Sequence, residues 1–109
     1  MDYIALFFCG AFLCNCIPHL ACGLRGETFP TPFARPRGVG LSSPFLNFVW
    51  GLANLAAGAV ILARHGVSTT TGPELLALVL GVIALGSYLS IHFGKVRQAS
   101  TCPPNQGQA

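Results

Sequence analysis

Pro44-Phe-Leu-Asn47-Phe-Val-Trp50-Gly-Leu-Ala-Asn54-Leu-Ala-Ala-Gly58-Ala-Val-Ile-Leu-Ala63 is a run without a single charged side chain, flanked by Arg37 on one side and Arg64 on the other. At 1.5 Å per residue a helix of about 20 such residues spans about 30 Å, the thickness of a bilayer's hydrocarbon core. Ser42-Ser43-Pro44 marks its start: a hydroxyl N-cap followed by proline at the first helical position. Arg64-His65-Gly66 marks its end with cations and a glycine.

Working outward, the same pattern recurs twice. No charge lies between Asp2 and Arg25, and none between Glu74 and Lys95. Tyr3 to Cys22 and Pro73 to Phe93 are therefore two further candidate spans. Thr71-Gly72-Pro73-Glu74 has the form of a capping box before the last of them. Met1-Asp2-Tyr3 supplies no basic n-region, so the first run reads as a retained helix and not a cleaved signal.

Composition agrees. Charged residues are 8% of the 109, hydrophobic residues are 52%, and mean hydropathy is +0.62. A small water-soluble domain has a high surface-to-volume ratio and needs far more polar cover. The expected fold is an all-α bundle of three transmembrane helices, about 3–22, 44–63 and 73–93, in one domain over 1–97. A Pro/aromatic loop joins the first two helices, and 98–109 reads as a disordered polar tail. Spans two and three are expected to pack as antiparallel neighbours across the short linker His65–Pro73.

Basic residues set the expected orientation. Arg25, Arg35 and Arg37 in the long loop, with Lys95 and Arg97 after span three, outnumber Arg64 on the other side. That excess puts the loop and the C-terminus in the cytoplasm and the N-terminus outside, in a plasma (inner) membrane. The three loop arginines are candidates for binding lipid headgroups.

Polar side chains gather at the loop end of the spans: Asn15, His19 and Cys22, then Asn47 and Trp50, then Ser87, Tyr88, Ser90 and His92, with Asn54 nearer the midplane. In hydrocarbon such groups need partners. Asn47, Gly51, Asn54 and Gly58 share one helical face, and Gly86, Ser90 and Gly94 repeat every four residues on another. Small residues let helices approach and polar ones bond across them, so both faces read as packing surfaces. The loop Gly26–Pro44 carries Phe29 and Phe33, aromatics that should dip into the interface or cover helix ends.

Chemistry is sparse. Cys14-Asn-Cys16-Ile-Pro-His19-Leu-Ala-Cys22 suggests metal ligands, but Cys14 and Cys22 fall on opposite sides of a helix. The cysteines read as small apolar packing residues. His19 and His92 sit at matching depth, an arrangement by which two helices can hold haem b. Glu27 is the one acid near the polar end and is the weakest candidate, as an acid or base beside a histidine. No carboxylate lies beyond the first turn of a span, which argues against a proton-coupled exchanger.

Two functional classes follow. One is a non-enzymatic accessory or structural subunit acting through helix contacts, as a homo-oligomer or inside a larger membrane complex, with no role in nucleic-acid binding. The other is a ligand-binding protein holding haem, a metal, or a lipid or quinone headgroup between His19, Asn47, Asn54 and His92.

Overall fold

The computed structural model describes residues 3–37, 39–65 and 72–101. The fold is an all-α bundle of three helices: α1 (Tyr3–Leu24), α2 (Pro44–His65) and α3 (Gly72–Thr101). Each is long and apolar enough to cross a membrane. Between α1 and α2 a two-stranded antiparallel hairpin, β1 (Phe29–Pro30) and β2 (Leu41–Ser42), pairs Phe29 with Ser42 and Pro30 with Leu41.

The ends of the elements follow from local chemistry. Gly26 adopts φ +73°, and behind it Gly26 N–H bonds the Gly23 carbonyl while Glu27 N–H bonds that of Cys22. This is the Schellman closure, and it needs glycine at the left-handed position. It carries α1 two residues past the expected end at Cys22. At the start of α2, the Ser43 hydroxyl accepts the Leu46 N–H at 3.1 Å, the N-cap anticipated from Ser43-Pro44. α2 ends at His65 with Arg64 and His65 in its last turn.

Three expectations need correction or delimiting. α3 does not stop near Phe93 but runs on to Thr101, so 98–101 are helical and not a disordered tail. Gln98 and Ala99 are good helix formers, and the first proline after them is Pro103. The rest of the tail, with Cys102, lies outside the described residues, as do most of the α2–α3 linker and Thr71 of the capping box. Finally, α2 and α3 are not packed neighbours. α1 is the central helix and packs against both, while α2 and α3 scarcely meet.

Small residues explain why α1 takes the centre. On its α2 side, Leu13 and Leu20 fill notches left by Gly58 and Gly51, and Gly23 lies against the backbone of Pro44 and Phe48. All four members of the anticipated α2 face, Asn47, Gly51, Asn54 and Gly58, are the buried residues of that helix. On its α3 side, Gly10 meets the backbone of Leu78 and Val82, and Gly81 meets that of Phe7 and Ala11. These parallel helices touch backbone to backbone, an approach only glycine permits.

The anticipated α3 face fares differently within the chain. Gly86 makes an ordinary contact with the Cys14 sulfur, 3.4 Å from where a β-carbon would stand. Ser90 is exposed and bonds the Ser87 carbonyl of its own helix, at 3.1 Å. Gly94 faces open space. A period of four marks a shared face, but whether it meets the neighbour depends on how the helix is rotated, and α3 turns Leu78, Gly81 and Val82 to α1. Gly94→Ala is therefore expected to leave the fold intact and to raise helix stability by up to about 1 kcal/mol, since nothing blocks the added methyl. Thermal unfolding in detergent measures this.

Candidate functional site

The loop-side end of the bundle is built around Asn47. This side chain is fully buried, at 0% exposure. Its Nδ2 lies 3.0 Å from the Phe29 carbonyl, 3.2 Å from that of Ser42 and 3.0 Å from that of Ser43. Two N–H groups are thus shared among three carbonyls, which identifies the other amide atom, Oδ1, as the acceptor. His19 Nδ1 lies 2.8 Å from it and must be the donor. One side chain in the first turn of α2 therefore joins α1, β1 and β2. In the neutral imidazole this leaves His19 Nε2 as an acceptor.

The loop is fastened at further points. The hydroxyls of Thr31 and Ser42 bond at 2.6 Å, both residues buried, and Phe33 N–H donates to Thr31 Oγ1 at 3.2 Å. Phe29 packs its ring against His19 at 5.4 Å and Phe93 at 4.7 Å between centroids, while Phe33 meets Trp50 edge-on at 5.0 Å. The two loop aromatics thus cover the helix ends, as their placement suggested. The prolines make this economical, because a chain with φ already restricted loses less entropy when it is pinned.

Below the loop, Asn15 Nδ2 donates to Asn54 Oδ1 at 2.9 Å, and Asn54 Nδ2 donates to the Trp50 carbonyl at 2.9 Å. Asn54 therefore serves the α1–α2 contact, and so does Asn47. Of the expected His19, Asn47, Asn54 and His92 set, neither asparagine lines the cleft described next.

The two histidines do share a cavity. Because α2 and α3 stand apart, a cleft of about 300 Å³ remains between them. Asn15 and His19 of α1 form its floor, Trp50 one wall, and Tyr88, Leu89, His92 and Phe93 the other, with Pro30–Pro32 and Arg37 above. The Trp50 indole Nε1 is buried and has no hydrogen-bond partner among the described residues. A buried donor left unmet costs about 1–3 kcal/mol, so it is an unusual thing for a fold to retain. The cleft and the unmet donor escaped the sequence reading. A lone tryptophan at the polar end was the one available signal.

Other candidates lie elsewhere. Arg25 and Glu27 form an exposed ion pair at 2.8 Å, and the guanidinium hydrogen bond holds the Glu27 carboxyl below its ordinary range. Glu27 does not line the cleft, so it is not placed to act with either histidine there. Arg35 and Arg37 are exposed on the loop, and of the two only Arg37 borders the cleft. The sulfurs of Cys9 and Cys16 bond the carbonyls of Gly58 and Leu13, at 3.2 and 3.0 Å. No group of three potential metal ligands occurs among the described residues. For haem, the cleft is small beside a porphyrin, and Phe29 and Phe93 already pack ring to ring alongside the two imidazoles.

Comparison with known protein families, curated proteins and solved structures finds no match. The functional reading therefore rests on the residues themselves.

Proposed function

We propose that this chain is an integral membrane protein that crosses the bilayer three times and acts by binding, without catalysis. Its occupant is the head of an amphipathic molecule, held in the cleft between α2 and α3. In this reading the loop and the C-terminal end of α3 lie on the cytoplasmic side of the plasma membrane, as the basic residues Arg25, Arg35, Arg37, Lys95 and Arg97 favour. The carrying observation is the pinned loop over an open cleft lined by His19, Trp50, Tyr88 and His92. A connector needs no such roof, and helix packing alone is better served by a filled groove. Preformed, largely apolar cavities with a few polar groups are the usual form of small-molecule sites.

A structural-subunit reading has one specific support. The outward face of α3 exposes Leu75, Leu76, Leu80, Ile83 and Ile91, and three helices bury little area alone. Acyl chains satisfy that face equally well, so it ranks second, whether the contact is with a second copy or a larger membrane complex.

Extraction in native lipid particles followed by native mass spectrometry tests the proposal. The expected result is one retained amphipathic molecule per protomer, lost from a Leu89→Phe variant that narrows the cleft. Bare polypeptide mass in both proteins contradicts it.

A further inference from the structure

We propose that the molecule held in the cleft carries a quinone-class head: a neutral, flat ring bearing carbonyl oxygens, on an apolar tail. This rests on the reading of the cleft as a binding site and adds the chemistry of its occupant. Three observations lead there.

The first is shape. Five ring-bearing side chains line the cleft: His19, Trp50, Tyr88, His92 and Phe93. The Tyr88 and His92 rings are parallel to within 5°, with centroids 5.6 Å apart, one turn from each other on α3. Flat aromatic walls favour a flat ring, through stacked and edge-on contacts, over a branched or spherical head.

The second is hydrogen-bonding sense. His19 is fixed with Nδ1 donating to Asn47, so its Nε2 is an acceptor, suited to the hydroxyl of the reduced, quinol form. The cleft thus offers that hydroxyl an uncharged acceptor.

The third is charge. Among the described residues no carboxylate lines the cleft, and the one permanent charge is Arg37, exposed at the rim. Trp50 lies six residues into α2, about 9 Å below the helix start at 1.5 Å per residue. A phosphate drawn to that depth would lose its hydration without a counter-charge beside it. A neutral carbonyl bears no such cost. The cleft is open and α2 and α3 scarcely meet, which leaves room for the tail.

Trp50 is the only tryptophan in the chain, so intrinsic fluorescence reports the site directly. The full-length protein in phosphatidylcholine nanodiscs is titrated with a short-tailed benzoquinone and, separately, with phosphatidylglycerol. The expected result is saturable quenching at one quinone per protomer, above the linear collisional quenching of a membrane-bound tryptophan analogue. Its midpoint weakens at least tenfold in Leu89→Phe and changes less than twofold in Arg37→Gln. Phosphatidylglycerol gives no saturable change. A saturable phosphatidylglycerol response that Arg37→Gln abolishes, with only collisional quinone quenching, overturns the ligand class but leaves a binding cleft. No saturable response to either probe overturns both.

Discussion

Asn47→Ala is expected to lower the stability of the fold by about 2–4 kcal/mol and to release the loop from the helix ends. The substitution removes the acceptor for His19 Nδ1 and the donor shared by the carbonyls of Phe29, Ser42 and Ser43. Ser43 is part of the α2 N-cap and loses least. The His19 donor and the Phe29 and Ser42 carbonyls are left within the packed loop end, and each unmet buried group costs about 1–3 kcal/mol. Interhelical hydrogen bonds in membranes are individually weaker, averaging about 0.6 kcal/mol, which holds the sum to the stated range. Asn47→Asp separates this explanation from a simple packing loss. It keeps the size and the acceptor for His19 but sets a carboxylate against three carbonyls, so it should be no better than alanine. Reversible unfolding in mixed micelles gives the stabilities, and protease sensitivity after Arg37 gives the release of the loop. A wild-type-like Asn47→Asp would mean that the carbonyls are satisfied in some other way.

Gly81→Leu is expected to separate α3 from α1. A β-carbon alone at this position collides with the Phe7 carbonyl, and one at Gly10 collides with that of Leu78. Neither obstacle is the end of a flexible side chain; both are helix backbone, so relief requires the helices to move apart. Overpacking by alanine costs about 1–3 kcal/mol, and leucine exceeds that because its whole side chain has no room. Among the helices α3 packs against α1 alone, since it scarcely meets α2. Cross-linking between engineered cysteines at positions 7 and 81 is not usable, as one of these is the mutated site. Energy transfer between labels at the α1 and α3 ends reports the distance instead. Gly81→Leu should lengthen it or abolish folding, while Gly94→Leu leaves it unchanged. The contrast is the informative part, because both substitutions place the same side chain on the same helix.

These two positions also show where sequence reasoning succeeds and where it stops. The spans were legible because charge-free apolar runs of bilayer length have few alternatives. The Asn47–Gly51–Asn54–Gly58 face was legible because polar and small residues at helical spacing need a neighbour, and on α2 there is one such face. On α3 the Gly86–Ser90–Gly94 repeat was the stronger pattern, yet the contact is made by an isolated Gly81. Its meaning depends on Gly10, seventy-one positions away, and no local period reveals that pairing. The antiparallel pairing expected of α2 and α3 came from linker length, which limits distance but does not exclude a third helix from lying between them.

The site divides along the same line. His19 and His92 were recognisable as groups at one depth, and they line one cleft. That Asn47 and Asn54 spend their hydrogen bonds on the fold follows from three-dimensional partners alone. The Pro/aromatic loop advertised an ordered structure, but its fastening by one buried asparagine needed the chain to be closed. An unmet donor such as Trp50 Nε1 leaves no trace in the sequence, because every tryptophan carries the same N–H.

The most direct measurement is the depth of Trp50 in lipid vesicles, read by quenching with lipids brominated at successive acyl positions. If the cleft lies within the loop-side half of the bilayer, emission is blue-shifted, aqueous iodide has little effect, and quenching peaks at bromines on the upper acyl chain. Red-shifted emission quenched by iodide and indifferent to brominated lipid would contradict it, placing α2 and the cleft in water.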